Sequence, residues 1–151
     1  MNAFVANPPA PNGADIAGGE FWPGISIGTF RKSSRAAFEI TDERAREALV
    51  GAMDRVMQEL ADWQSSRAEA TLEAVPAEEI GGESRLVLLF RRAVFAYAAA
   101  DLVQTHGDVS ATGEGRDRID DKRPSAADMW RVAAHAIRSI QGRPSTAVEL
   151  I

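Results

Sequence analysis

The chain has 151 residues, of which 45% are hydrophobic and 26% charged, and a formal net charge of −5. That is material for one domain with a sizeable core, or for one domain and a tail. The absence of cysteine excludes disulfides, thiolate zinc sites and cysteine nucleophiles, and the acidic balance argues against binding nucleic acid by neutralising phosphates.

Alanine fills 27 positions, which favours helix. The sequence has no run of 18 apolar residues and no basic leader followed by an apolar stretch. The expectation is therefore a soluble chain made in the cytoplasm. Residues 1–30 hold four of the seven prolines and five of the twelve glycines, with only Asp15 and Glu20 charged. This composition predicts an extended N-terminal arm over 1–30. The arm carries one apolar cluster, Phe21-Trp22-Pro23 with Ile25 and Ile27. Two readings of it stay open: it folds back onto the chain's own core, or it docks onto another subunit.

A short helical turn is expected near Ser33–Phe38, and a first long helix from about Thr41 to Arg67. Thr41 is a suitable N-cap, and Asp42 and Glu43 suit the first turn. Ala45, Leu49, Ala52, Val56, Leu60 and Trp63 form one apolar stripe, widened by Met53 and Met57. Pro76 and Gly81-Gly82 predict an ordered turn, or a single helical turn, between helices. The second helix, about Glu83 to His106, is apolar nearly all round from Leu86 to Val103 and so reads as the central helix. Ala98, Ala99 and Ala100 would let another helix approach closely. Residues 107–124 are polar and charged: the first part reads as a loop, and Arg116–Lys122 as a continuation of it or a helical turn. The third helix runs from about Ser125 to Gln141 on a stripe of Ala126, Met129, Trp130, Ala133, Ile137 and Ile140, with Gly142 and Pro144 as stop signals. The alternating tail Thr146–Ile151 predicts a short C-terminal strand that needs a partner. The organisation expected is an arm over 1–30, a helical domain over 31–142 and an extended tail over 143–151, all-α apart from that strand.

No constellation of catalytic residues emerges. His106 and His135 lack metal-ligand spacing. Asp117, Asp120 and Asp121 lack the pattern of a calcium loop and alternate with Arg116, Arg118, Lys122 and Arg123. Gly113-Glu114-Gly115 lacks the lysine and preceding strand of a phosphate loop. Arg131 and Arg138 of the third helix have alanine, tryptophan and isoleucine neighbours and follow too long a connection for a DNA-reading helix-turn-helix. No cofactor is expected. The arm, the charged loop and the terminal strand all need partners, as in an assembly subunit. The alternative is a helical regulator that binds another protein.

The stretch Val75-Pro76-Ala77-Glu78-Glu79-Ile80-Gly81-Gly82-Glu83-Ser84 resembles the head completion (L-type) family of contractile-tailed temperate phages. The likeness continues at Arg92-Ala93-Val94, Trp130-Arg131, Ile140-Gln141-Gly142-Arg143-Pro144 and Leu150-Ile151, and upstream at Phe21-Trp22-Pro23-Gly24-Ile25 and Arg44–Leu49. It covers about residues 21–151; residues 1–20 have no counterpart, and Leu88 and Leu89 stand where the family has aromatic residues. The resemblance implies a non-enzymatic virion protein of the head-tail neck, with three to four helices in an adaptor-type bundle. It further implies assembly in the host cytoplasm, binding to the portal after DNA packaging, and a homo-oligomeric, dodecameric ring around the DNA channel. Such a ring offers a platform to a stopper or tail-terminator protein, and packaged DNA passes through it without sequence-specific binding. On this reading Phe21, Trp22, Ile25, Val148, Leu150 and Ile151 are candidate protein-interface residues. Asp117, Asp120 and Asp121 are candidates to line the channel.

Overall fold

A computed structural model describes residues 15–34, 40–109 and 124–143 of the chain, with the backbone alone over 106–109. Its elements in chain order are α1 (Ile27–Ser33), α2 (Asp42–Glu59), α3 (Ala61–Ser65), a 3-10 turn at Leu72–Ala74, β1 (Glu79–Ile80), β2 (Glu83–Ser84), α4 (Arg85–Val109) and α5 (Ala126–Ile140). The fold is mainly helical, as expected, with a two-stranded hairpin besides. No helix among the described residues is long and apolar enough to cross a membrane.

Helix α2 begins where its signals place it. The Thr41 hydroxyl accepts a hydrogen bond from the Arg44 N–H at 3.3 Å, and Asp42 and Glu43 meet the positive end of the helix dipole. Ala45, Leu49, Ala52, Val56 and Leu60 are all buried, so the stripe is the packing face. The helix does not continue to Arg67. Leu60 leaves the helical conformation (φ −101°, ψ 3°) and α3 follows as a separate turn.

The segment between the long helices forms the β1–β2 hairpin, in which Ile80 pairs with Glu83 and Glu79 with Ser84. Gly81 and Gly82 have φ of +62° and +83°, the two left-handed positions that a type I′ turn demands and glycine supplies without strain. Glu83, expected to open a helix, lies in β2 and grips Arg91 of α4 through both carboxylate oxygens, at 3.1 and 2.8 Å. Helix α4 is central, as its all-round apolar character predicts: it packs against α2 on one flank and α5 on another. Ala98, Ala99 and Ala100 are buried in it, allowing the close approach expected of them. Helix α5 opens with a reciprocal capping box, in which Ser125 and Asp128 each accept from the other's backbone N–H at 3.1 Å. It closes in a Schellman motif, with Arg143 N–H on Arg138 C=O (2.9 Å) and Gly142 at φ +69°.

The N-terminal segment departs most from expectation. Over its described part it is no extended arm, and α1 runs through the boundary expected at residue 30. Ile16 and Ile25 pair as an antiparallel bridge, closing a loop over 16–25. The Asp15 carboxylate accepts from the Ile27 N–H at 2.7 Å, the Ser26 hydroxyl caps α1, and the Phe21 carbonyl accepts from Leu72 N–H at 2.9 Å. Trp22 stacks on Phe90 of α4 at 4.9 Å between ring centroids and meets Trp63 of α3 at 6.4 Å. These ring contacts, with the burial of Ile16 and Phe30, outweigh the proline- and glycine-rich composition. The turn expected near Ser33–Phe38 lies mostly outside the described residues, and α1 ends at Ser33. The expected C-terminal strand lies outside them altogether.

Candidate interaction surfaces

Phe21, Trp22 and Ile25 are 8%, 6% and 1% exposed. They fold back onto the chain's own core, the first of the two alternatives, and offer little surface to a neighbour. Burial of rings on this scale is worth several kcal/mol, which an exposed arm would forgo. Val148, Leu150 and Ile151, and Asp117, Asp120 and Asp121, lie outside the described residues.

The surface features that the structure does place are different ones. Four large apolar side chains stand open among the described residues: Val50 of α2 (46%), Ile80 of the hairpin (54%), Trp130 (38%) and Val132 (37%) of α5. Trp130 belongs to the predicted core stripe but sits at its edge, because successive residues turn about 100° and Ala133, Ile137 and Ile140 take the inner positions. Its ring borders a groove of about 250 Å³ between α2 and α4, shared with Glu47, Gly51, Tyr97, Asp101 and Gln104. A groove that small and polar is below the usual size of a small-molecule site.

On the groove's flank Tyr97 donates a hydrogen bond to Glu59 Oε1 at 2.8 Å, and the Arg55 guanidinium lies 4.1 Å over its ring while bonding Glu59 at 3.2 Å. Burial and then the Glu59 carboxylate push the Tyr97 phenol up to about 12. Arg91 bonding holds the Glu83 carboxyl below its ordinary value, and the Ser125 hydroxyl and N–H do the same for Asp128. The Tyr97–Glu59 bond ties α4 to α2, the Glu83–Arg91 pair ties the hairpin to α4, and the Ser125–Asp128 bonds cap α5. Among the described residues no three acidic or histidine side chains gather as metal ligands. A wider recess of about 560 Å³ lies between the 17–26 loop and the hairpin, bordered by Gly18, Glu20, Pro23, Glu79, Glu83 and Arg91.

Sequence reading missed Val50 and Val132 as surface features. The available signal was an apolar residue set within a charged helix face: Val50 between Glu47 and Asp54, Val132 beside Arg131.

No solved structure matches the chain. At the level of sequence, the chain is 31% identical over 134 residues to the head completion/stabilization protein of Escherichia phage P2, covering 87% of this chain and 79% of the relative. It is 28% identical over 141 residues to the probable head completion/stabilization protein of Haemophilus phage HP1 (strain HP1c1), covering 90% and 91%. The model of the phage head completion protein (GPL) family matches residues 16–151, beginning at the buried isoleucine that closes the 16–25 loop. With the helices, hairpin and closed loop all inside that span, the chain belongs to the phage head completion protein family.

Proposed function

We propose that this protein completes and stabilises the DNA-filled phage head as a structural component of the virion neck, without catalysis. Subunits bind the portal vertex, close into a ring around the DNA channel and present a platform to the tail or to a stopper protein. The observation that carries the reading is the family match over residues 16–151. It is supported by a folded domain whose exposed apolar side chains, Val50, Ile80, Trp130 and Val132, are spread over two helices and a hairpin. Subunits of a closed ring need two different contact surfaces, because each surface meets its complement and not itself.

Quantitative mass spectrometry on purified tailed particles tests the proposal. The expected result is about a dozen copies per particle, the ring size that the family resemblance implies, since a closed cyclic assembly holds a fixed number of subunits. A chain abundant in the lysate and absent from particles would overturn it.

A further inference from the structure

Two helices that both pack on α4 turn oppositely charged faces to solvent. On α2 the outward positions Glu43, Glu47, Val50 and Asp54 follow a 4-3-4 spacing and form one stripe, all of them exposed. Three are acidic and the fourth is an open valine. The basic residues of α2 do not cancel the stripe. Arg46 donates to the Asp15 carbonyl at 3.0 Å, Arg55 is held by Glu59 and the Tyr97 ring, and Arg44 lies beside the stripe in the first turn. Gln58 extends the stripe and donates to Asp54 at 2.8 Å.

On α5 the outward positions are Arg131, His135 and Arg138, at 4-3 spacing, with Val132 exposed next to them and Arg143 just past the helix end. Asp128 lies on this face and pairs with Arg131 at 2.7 Å. Arg138 has no ion-pair partner among the described residues, and the face is left positive. The two charge pairs also match in length. Glu47 and Asp54 are seven residues apart, as are Arg131 and Arg138, and both separations correspond to about 10.5 Å along a helix.

We propose that the acidic face of α2 in one subunit docks on the basic face of α5 in the next copy of this chain. Glu47 and Asp54 then meet Arg131 and Arg138, and Val50 packs near Val132. The contact is heterologous: it uses one surface from each neighbour, leaves a joined pair with one free surface of each kind, and so propagates until a ring closes. Complementary charge fixes the register and disfavours α2 against α2 or α5 against α5. The inference rests on the ring reading above and names the surfaces that would build it.

The test uses particles assembled in cells lacking the natural copy of the gene and supplied with variants of the full-length chain. E47K/D54K and R131E/R138E should each lower the number of copies per particle about tenfold or more, because each places like charges in the contact. Combining all four changes in one chain restores opposite charge and should bring incorporation back to within about twofold of wild type. Thermal melting of each variant separates assembly from folding, since all four positions are exposed. Because the chain has no cysteine, V50C/V132C provides an independent readout: oxidation of particles should give a ladder of covalently linked subunits. Wild-type incorporation of the two-residue variants, or loss without restoration in the four-residue variant, would overturn this contact while wild-type copy number still supports the ring. Absence of the wild-type chain from particles would instead overturn the ring reading itself.

Discussion

Tyr97 is the single tyrosine of the chain, so its ionisation can be followed without interference. Its hydroxyl bridges α4 to Glu59 at the end of α2, at 2.8 Å, and burial next to a carboxylate favours the neutral phenol. The folded value is raised from 10.0 to about 12. The consequence for stability has a definite sign. Below pH 10 the phenol is neutral in both states and its contribution is complete. Between pH 10 and 12 the unfolded chain releases the proton first, so folding loses free energy steadily, and above the folded value the contribution is gone. Tyrosinate absorbance should therefore show a midpoint of about 12 in the native protein and about 10 in denaturant. A native midpoint near 10 would mean that Tyr97 is neither buried nor bonded to Glu59 in the folded chain. Removing the carboxylate by Glu59→Gln should bring the native midpoint down towards the ordinary value.

At the scale of elements, the 16–25 loop depends on one close approach. A Cβ on Gly18 would stand 2.3 Å from the Trp22 carbonyl oxygen and 2.5 Å from that of Pro23, and backbone on both sides leaves nothing flexible to yield. Gly18→Ala should cost about 2–3 kcal/mol. Gly51, inside α2, has no atom within 4 Å of the same position, so Gly51→Ala should stabilise by about 0.5–1 kcal/mol through helix propensity alone. Urea unfolding of the pair should shift in opposite directions. A Gly18→Ala chain as stable as wild type would show that the loop is open.

The long helices were legible in the sequence because burial marks it in two ways: one buried face gives α2 its periodic stripe, and burial nearly all round gives α4 its apolar run and central place. The 16–25 loop was not legible, since an irregular backbone has no period and its shape is set by stacking on Phe90, 68 residues beyond Trp22 in the chain. The break at Leu60 escaped for a related reason, because the apolar stripe continues across it and only the backbone changes direction. Gly81-Gly82 was recognised as a stop signal, yet the same dipeptide is also a hairpin turn, and only pairing between Ile80 and Glu83 decides which.

Across the whole molecule, the tryptophans separate folding from assembly. Trp22 is buried, stacked on Phe90 at 4.9 Å and hydrogen-bonded through its indole N–H to Gln64 at 3.1 Å. Trp22→Ala removes a stacked ring and leaves a cavity, at a cost of about 3–5 kcal/mol, a large part of the 5–15 kcal/mol or so that holds a domain of this size together. Trp130 stands at the rim of the groove with 38% of its surface open, and Trp130→Ala should cost about 1 kcal/mol or less in an isolated subunit. An open tryptophan beside a groove has the character of an interface anchor, where truncation commonly costs about 2 kcal/mol or more of binding. Thermal melting should thus fall sharply for Trp22→Ala and hardly move for Trp130→Ala, while the yield of DNA-filled heads should fall about tenfold or more for both. The first loss would come from too little folded subunit and the second from folded subunits that fail to assemble. Wild-type head yield from Trp130→Ala would remove the groove from the interface and leave the charged faces of α2 and α5 to carry subunit contact without it.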